Sequence, residues 1–403
     1  MRNQSAHYIF HHEHKVSSMP FSQKELLRYS RHLALPEVGL DGQRALKEAK
    51  VLVVGTGGLG SPILLYLAAS GVGTIGLIDF DTVDETNLQR QVLFDMNSVG
   101  KSKSSVAKNK LAALNPYITV NEYNTAINSD NALEIIKSYD IVVDGTDNFT
   151  TRYLVNDACV LLGKPYVYGS VFRFEGQTAI LNAPMEDGRR GPCYRCLFPE
   201  PPPADLVPNC SEGGVLGVLP AMIGSLQATE TIKQICSIGK PLSRQLMLYS
   251  ALDLDFKKVN MVKDASCAIC SEHPVITDLQ PINLSCQVET EDETVSLITG
   301  SALRKLLEKG QPVQLLDVRN DDERKMMHIG GRHIPLDKLE MMTAADLKYF
   351  DKQAPLIVYC TAGARSKKAI IQLQKLDIFS ELYSLQGGLL RWISDVDSAL
   401  STS

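Results

Sequence analysis

The first residues in this sequence that could do chemistry are four glycines and an acid. Gly55, Gly57, Gly58 and Gly60 lie in the segment GTGGLG, directly after the apolar run KVLVV, and a second apolar run downstream ends at Asp79. Glycines let the backbone approach a phosphate, the first N–H groups of a helix hold an anion, and an acid about 20 residues later binds ribose hydroxyls. The pattern of strand, glycine turn, helix and strand predicts a nucleotide site rather than a tight turn alone, with NAD, FAD and ATP all possible.

Polar and charged side chains follow where they could complete that site. Asn87, Arg90 and Lys103 come after the second apolar run, and the segment DIVVDGTDN brings Asp144 and Asp147 to the end of a further buried strand. Ligand-contacting groups collect at the carboxyl edge of an α/β sheet, and two acids there suit magnesium. Ordinary surface charge and helix capping are the alternatives for these residues.

Two C-x-x-C pairs predict a metal site. Cys193 and Cys196 form CYRC, and Cys267 and Cys270 form CAIC. Two such pairs complete the tetrahedral four-sulfur shell that Zn²⁺ prefers, and four thiolates leave no open coordination position, so the site would be structural. Redox-active pairs are the alternative, but neither pair opens a helix after a strand, as a thioredoxin motif does.

A second candidate site centres on Cys360 in LIVYCTAGARS. A buried strand ends at this cysteine, and a tight loop with Gly363 leads to Arg365 and a helix. The loop N–H groups, the helix dipole and the arginine favour the thiolate, which could attack a phosphate ester or carry a terminal sulfur atom. The C-x4-R spacing is one residue shorter than the C-x5-R loop of cysteine phosphatases, and the tighter ring favours sulfur over phosphate. A core cysteine closing a strand is the alternative.

One more cysteine could act as a nucleophile. Cys210 follows the proline-rich stretch PEPPPADLVPN, which resists regular structure. A thiol on a flexible, exposed loop is a candidate nucleophile. An incidental surface cysteine fits the composition equally well.

Length, charge and apolar patterning limit the class of protein. The 403 residues suffice for two domains, and a net charge of −5 without a basic stripe argues against nucleic acid as a partner. The sequence has neither a run of about 18 apolar residues nor a signal-peptide core, so we expect no membrane association and a cytoplasmic location. In the cytoplasm, nine cysteines are more typical of thiols, metal ligands or catalysts than of disulfides.

Composition and periodicity divide the chain into four segments. Residues 1–20 read as a flexible, histidine-rich tail, and residues 281–296 as a polar, acidic linker. Between them, residues 21–280 predict a Rossmann-like α/β domain with a doubly wound, mostly parallel sheet and the structural zinc site. Residues 297–400 predict a smaller α/β domain that contains Cys360.

The motifs together resemble two known families. GTGGLG, IDFDTVDETNLQRQ, VGKSK, DGTDN, both cysteine pairs and GSLQATETIK make residues 22–275 similar to the MoeB/ThiF adenylyltransferases, relatives of the ubiquitin-activating enzymes. LLDVR, HIGGRHIPL, YCTAGARS and LQGGLLRW make residues 297–398 similar to a rhodanese domain. The resemblance covers nearly the whole chain, and its order matches MoeB-type enzymes with a C-terminal rhodanese.

The resemblance selects ATP and implies a reaction. A small ubiquitin-like sulfur carrier ending in Gly-Gly would present its terminal carboxylate to the α-phosphate of ATP–Mg²⁺, giving an acyl-adenylate and pyrophosphate. By motif match, the Gly55–Gly60 loop and Asp79 would bind the nucleotide. Asn87, Arg90 and Lys103 would contact the phosphates, and Asp147 would assist with magnesium and the transferring group.

The resemblance also implies a sulfur step and partners. Cys360, loaded as a persulfide by a cysteine desulfurase or another donor, would attack the adenylate and leave a thiocarboxylate on the carrier. Cys210 matches a loop cysteine that bonds covalently to the carrier in some members, and Arg31 matches an arginine that reaches the active site of the other protomer, which implies a homodimer. One departure from this pattern is Thr361, where relatives often have a basic residue.

Two other functions stay open on the sequence. One is a dinucleotide-dependent oxidoreductase, although no flavin or nicotinamide site is evident. The other is a zinc-stabilised scaffold that binds ubiquitin-like proteins without turnover, although Arg90, Lys103, Asp147 and Cys360 are all intact. Nor do the residues select a pathway among molybdopterin, thiamine, cysteine and tRNA thiolation.

Overall fold

The structure, a computed structural model, describes residues 21–185, 187–201, 214–280, 295–361 and 363–396. The chain divides into two compact units between residues 284 and 285. The expected tail (residues 1–20), most of the expected linker and Cys210 lie outside the described residues. None of the helices that the structure describes is both long and apolar enough to cross a membrane.

A single sheet of eight strands organises the first unit. Its strands are β1 (Lys50–Val54), β2 (Thr74–Ile78), β3 (Thr119–Tyr123), β4 (Ile141–Asp144), β5 (Tyr166–Phe172), β6 (Glu175–Leu181), β7 (Gln245–Ser250) and β8 (Asp255–Asn260). The spatial order is β3-β2-β1-β4-β5-β6-β7-β8, with parallel pairing from β3 through β5 and antiparallel pairing from β5 to β8. Because the order reverses between β1 and β4, a crevice opens at the carboxyl ends of these strands. The predicted doubly wound, mostly parallel sheet is confirmed.

Helices cover both faces of this sheet. They are α1 (Gln23–Arg28), α2 (Ser30–Leu33), α3 (Gly39–Glu48), α4 (Gly60–Ser70), α5 (Lys103–Leu114), α6 (Ala132–Lys137), α7 (Phe149–Leu161), α8 (Tyr194–Leu197) and α9 (Val218–Cys236). Alternate residues of β1 point to opposite faces: Val51 and Val53 lie in the core that includes Ile63 of α4, while Leu52 and Val54 lie in the core that includes Tyr153 of α7. This double burial explains why β1 is apolar at every inner position.

The second unit repeats this layout on a smaller scale. Its strands are β9 (Leu297–Ile298), β10 (Gln314–Asp317), β11 (Arg332–His333), β12 (Leu356–Tyr359) and β13 (Leu382–Leu385), all paired in parallel in the order β11-β10-β12-β13-β9. Its helices are α10 (Gly300–Glu308), α11 (Asp321–Met326), α12 (Leu336–Leu339), α13 (Ala364–Lys375) and α14 (Gly388–Asp395). The central strand β12 is buried on both faces and ends directly before Cys360.

Glycines let two loops meet at the crevice of the first unit. Gly55 has a φ of +87°, and a Cβ there would lie 2.8 Å from the carbonyl oxygen of Gly145 in the loop after β4. A Cβ on Gly60 would lie 2.1 Å from the carbonyl oxygen of Gly55. By contrast, the nearest atom to a Cβ on Gly57 would be 3.5 Å away. Gly55 and Gly60 are therefore required by backbone packing, whereas Gly57 has room for a methyl group.

We expect Gly60→Ala to destabilise the first unit, and Gly57→Ala to leave its stability nearly unchanged. The added methyl group at Gly60 meets a backbone carbonyl that cannot move without displacing β1, which costs about 1–3 kcal/mol of unfolding free energy. Differential scanning calorimetry of the full chain measures the difference. Equal transition temperatures for the two variants would contradict the packing account.

Candidate functional site

The crevice between β1 and β4 holds a cavity of about 350 Å³. Most of the predicted nucleotide-site residues line this one space: Gly55, Gly57, Gly58, Asp79, Asn87, Arg90, Lys103 and Asp147. Gly60 does not line it and instead packs behind the loop. Arg31 is exposed on α2 and does not line the cavity of its own chain.

Asp79 fastens the end of β2 to the glycine loop. Its Oδ2 accepts hydrogen bonds from the backbone N–H and the hydroxyl of Thr56, each at 2.8 Å, and its Oδ1 accepts from the N–H of Asp81 at 2.9 Å. A carboxylate has about four acceptor positions. These three bonds leave one position, on Oδ1, for a ligand hydroxyl.

Arg90 and Asn87 form a linked pair of donors and acceptors at the cavity wall. The guanidinium donates to Oδ1 of Asn87 at 3.2 Å and to the carbonyl of Thr86 at 3.4 Å, and Gln91 Nε2 donates to the same Oδ1 at 2.8 Å. Within the residues that the structure describes, no carboxylate forms an ion pair with Arg90. Its positive charge is therefore available to an anionic ligand.

Lys103 differs from Arg90 in that its charge is already paired. Its Nζ lies 3.0 Å from Oδ2 of Asp81, and its side chain is 6% exposed while that of Asp81 is 50% exposed. Lys103 begins α5, whose first N–H groups add to the positive end of the helix. A phosphate at this position would share the ammonium group with Asp81.

A buried ion pair supports the loop that carries Asp147. Asp144 is 1% exposed; its Oδ2 accepts from Arg152 Nε at 3.2 Å and from the Tyr166 hydroxyl at 2.6 Å. Burial would lower the pKa of Arg152, but Tyr168 and Asp144 hold that pKa well above its usual range. Asp144 therefore serves structure, and of the two acids in DGTDN only the exposed Asp147 lines the cavity.

The sequence analysis missed several residues of the site and its support. Thr125, Ala126 and Ile127 line the cavity and follow β3, so the edge rule for parallel strands would have found them. Val171 and Val215 come from the antiparallel half of the sheet and from the segment before α9, where that rule does not apply. Arg152 was missed because its anchoring role depends on burial.

The four cysteines of the two C-x-x-C pairs meet at one point. Their sulfur atoms all lie within 4.8 Å of one another, with Sγ–Sγ distances of 3.8 Å for Cys193–Cys196, 3.6 Å for Cys193–Cys267 and 3.3 Å for Cys196–Cys270. Tetrahedral zinc with bonds of about 2.3 Å places its sulfur ligands about 3.8 Å apart. Hydrogen bonding to Cys193 lowers the pKa of Cys267. The cluster thus fits a tetrahedral metal ion, and the predicted meeting of the two pairs is confirmed.

In the second unit, Cys360 lies between the end of β12 and the start of α13. The N–H of Gly363 donates to Cys360 Sγ at 3.1 Å, and Gly363 has a φ of +103°, which lets the loop turn toward the sulfur. The residue is 2% exposed, so the sulfur is enclosed by its loop rather than presented at the surface.

Arg365 faces a carboxylate that the sequence did not reveal. Its two terminal nitrogens donate to the two oxygens of Glu323 on α11 at 2.7 and 2.6 Å, and the Thr361 hydroxyl donates to the same group at 2.7 Å. Burial alone would raise the pKa of Glu323, but the bonds from Arg365 and Thr361 outweigh it and hold the pKa at about 2. The clasp of Glu323, Arg365 and Thr361 closes one side of the sulfur loop.

Comparison with known families agrees with this geometry. Residues 29–269 match the ThiF family, and residues 299–395 match the rhodanese-like domain. A probable adenylyltransferase/sulfurtransferase MoeZ of Mycobacterium tuberculosis is 44% identical over 375 residues, which cover 92% of this chain and 93% of that protein. These matches confirm the resemblance inferred from the motifs.

Other relatives match one or both units. The sulfur carrier protein adenylyltransferase of Thermus thermophilus is 50% identical over 268 residues, which cover 66% of this chain and 99% of that protein. The adenylyltransferase and sulfurtransferase MOCS3 of Sus scrofa is 40% identical over 95% of this chain and 89% of its own. Among solved structures, that of Escherichia coli MccB with ATP is 28% identical with a TM-score of 0.53, and the match covers 63% of this chain and 75% of that one.

The clasp predicts an acid-dependent loss of stability in the second unit. Because folding lowers the pKa of Glu323 from 4.5 to about 2, its stabilising contribution is complete above pH 4.5 and is lost as the pH falls toward 2. Fluorescence of Trp392, the single tryptophan, reports unfolding of this unit. Over this pH range we expect Glu323→Gln to flatten the decline in stability, and Glu308→Gln, an exposed control on α10, to follow the unsubstituted chain. Identical curves for all three proteins would contradict the assignment.

Proposed function

Since the chain belongs to the ThiF family and carries a C-terminal rhodanese-like domain, we propose that it activates a ubiquitin-like sulfur-carrier protein. The C-terminal Gly-Gly carboxylate of the carrier is adenylated with ATP, and the acyl-adenylate is then converted to a thiocarboxylate. The observation that carries this proposal is the convergence of the glycine loop, Asp79, Asn87, Arg90, Lys103 and Asp147 on one cavity. The name of the Thermus thermophilus relative, a sulfur carrier protein adenylyltransferase, supports this class of substrate.

Adenylation brings two anions together, so positioning and charge neutralisation matter most. The carrier carboxylate attacks the α-phosphorus, the bond to the β-phosphate oxygen breaks, and pyrophosphate leaves. Arg90 faces the cavity without a carboxylate partner among the described residues, which suits it to the charge that grows on the leaving group. Lys103 assists while held in place by Asp81.

The remaining cavity residues hold the nucleotide. Asp79 offers its one open acceptor position to the ribose, and the loop from Gly55 to Gly58 lies beside the phosphates. Asp147 and neighbouring oxygens fit a hard cation such as Mg²⁺, which would neutralise phosphate charge when bound.

Cys360 delivers the sulfur in the second stage. A donor, for example a cysteine desulfurase, leaves a persulfide on this thiol. The terminal sulfur of this persulfide attacks the acyl carbon of the carrier adenylate, and AMP departs. The carrier is then joined to Cys360 through an acyl disulfide. A second thiolate, from a small cellular thiol, attacks the sulfur of Cys360 and releases the thiocarboxylate. The disulfide that forms at Cys360 is then reduced by another thiol.

Three further features complete the proposal. The four-cysteine cluster holds structural Zn²⁺, since four sulfur ligands leave no coordination position for substrate. A homodimer is the working unit, with the exposed Arg31 reaching the cavity of the second copy. The protein works in the cytoplasm, where ATP and reduced thiols are available.

Replacing Arg90 by Ala should abolish adenylation with the fold intact. Loss of one positioned charge that stabilises the leaving phosphates costs about 10²–10³ in rate. The measurement is ATP–pyrophosphate exchange in the presence of a Gly-Gly-ended carrier, with Arg44→Ala on α3, a partly exposed arginine that does not line the cavity, as the matched control. Normal exchange by the Arg90 variant would remove this residue from the active site.

Cys360→Ala should separate the two stages. Exchange should be unchanged because the adenylation cavity lies in the first unit, whereas thiocarboxylate formation should fall to background. Mass spectrometry of the carrier distinguishes the two products. Sulfur transfer at the usual rate would show that another residue carries the sulfur.

The metal assignment predicts one zinc per chain. Elemental analysis measures it, and Cys267→Ser should lower both the zinc content and the transition temperature of the first unit, because a ligand is lost. Cys236→Ser, a partly buried cysteine outside the cluster, should keep the metal. A full zinc complement in the Cys267 variant would overturn the assignment.

A further inference from the structure

The sulfur of Cys360 lies where water cannot stabilise a charge. The residue is 2% exposed, and a buried anion is costly unless hydrogen-bond donors replace the lost hydration. The backbone N–H of Gly363, at 3.1 Å, is one such donor. The thiolate and persulfide forms therefore need further donors from the groups packed around the sulfur.

Charged groups near the loop are engaged with one another. Ion pairs that the structure describes on the surrounding elements include Arg365 with Glu323, Arg319 and Arg324 with Asp317, and Arg391 with Asp395. The hydroxyl of Tyr359, the residue before the cysteine, donates to the carbonyl of Gly330 at 2.8 Å. Lys367 and Lys368 follow Ser366 on α13, but residues one and two apart do not share a helix face. Neutral donors thus become the main candidates for supporting the sulfur.

Two buried hydroxyl groups lie next to the sulfur. Ser366 Oγ, in the first turn of α13, is 3.6 Å from Cys360 Sγ, 2.9 Å from the carbonyl oxygen of Gly363 and 2.8 Å from Ser384 Oγ on β13. Ser366 is fully buried, and Ser384 is 1% exposed. The three groups form a chain from the sulfur through Ser366 to Ser384.

The hydrogen-bonded series from Cys360 through Ser366 to Ser384 can adopt two arrangements of its protons. Each hydroxyl has one proton to donate and two positions to accept. When the sulfur is protonated, the S–H group can donate to Ser366, and Ser366 donates to the carbonyl of Gly363. When the sulfur is an anion, Ser366 rotates its proton toward it, and Ser384 still donates to Ser366. No proton is exchanged between residues; a hydroxyl rotation alone accommodates both states.

We propose that Ser366 and Ser384 are positioning residues for the sulfur of Cys360. Ser366 donates directly to the anionic sulfur, and Ser384 acts through Ser366 by fixing its orientation and strengthening its donation. The inference rests on the proposed role of Cys360 as the sulfur-carrying thiol, and it deepens that role by naming the groups that stabilise the thiolate.

The test is the reactivity of Cys360 in the full chain as a function of pH. Iodoacetamide alkylation, followed at the Cys360 peptide by mass spectrometry from pH 5 to 9, reports the reactive anion. For Ser366→Ala we expect a rate about tenfold lower at neutral pH and a midpoint about one pH unit higher, since a hydrogen bond to a charged group is of that strength. For Ser384→Ala we expect the midpoint to shift upward by a smaller amount and the rate at neutral pH to fall about threefold, because Ser384 acts on the sulfur only through Ser366.

Matched variants separate this role from packing. Ser380→Ala removes an exposed hydroxyl from the same unit and should leave the pH profile unchanged, while Ser384→Thr keeps a hydroxyl and should restore the midpoint lost in Ser384→Ala. Unchanged alkylation midpoints in both alanine variants would overturn the inference. Alkylation rates that fall equally at every pH, together with a lower transition temperature, would also overturn it, because they would indicate a packing role.

The outcome is independent of the proposed function. If thiocarboxylate forms normally while the midpoints do not move, the inference fails and the function stands. If the midpoints move but the unsubstituted chain transfers no sulfur to a carrier, the hydroxyl chain stands and the role of Cys360 in sulfur transfer fails.

Discussion

The contact between two backbone loops at the β1–β4 crevice is the constraint on which the first unit depends. Gly55 lies against the carbonyl of Gly145, the N–H of Gly145 donates to Val54 at 2.7 Å, and Gly60 packs on the carbonyl of Gly55. A side chain at Gly55 or Gly60 would push the loops apart. The contact fixes the distance between the glycine loop and the loop that carries Asp147, and hence the width of the cavity.

Around this contact, buried polar groups hold the loops in place. Asp79 ties the end of β2 to Thr56, while the ion pair of Asp144 and Arg152 anchors the loop after β4. The hydrogen-bond and ion-pair partners of these residues are groups of the protein itself, so these residues hold the cavity loops in position. Arg90, whose bonds are to neutral oxygens, keeps charge for a ligand. Charged groups that are already paired within the protein thus anchor the loops, and the charged group without a carboxylate partner among the described residues, Arg90, is available to a ligand.

The sequence predicted the framework well because its signals are local. The apolar runs, the glycine loop and the two cysteine pairs each follow from spacing along the chain, and the sheet order and the sulfur cluster agree with them. Partners distant in sequence were not predictable. Glu323 meets Arg365 across 42 residues, and Ser384 meets Ser366 across 18 residues, so neither contact leaves a pattern in a window of sequence. The enclosure of Cys360 likewise depends on packing between elements.

The central claim is that one chain makes a carboxylate reactive with ATP and then replaces the AMP by sulfur. A mass-resolved time course of a Gly-Gly-ended carrier, incubated with the protein, ATP–Mg²⁺ and a persulfide donor, tests this most directly. The account predicts that the carrier passes from free acid through acyl-adenylate to thiocarboxylate, and that without the donor it stops at the adenylate. A thiocarboxylate formed without ATP, or a carrier that never gains AMP, would contradict it.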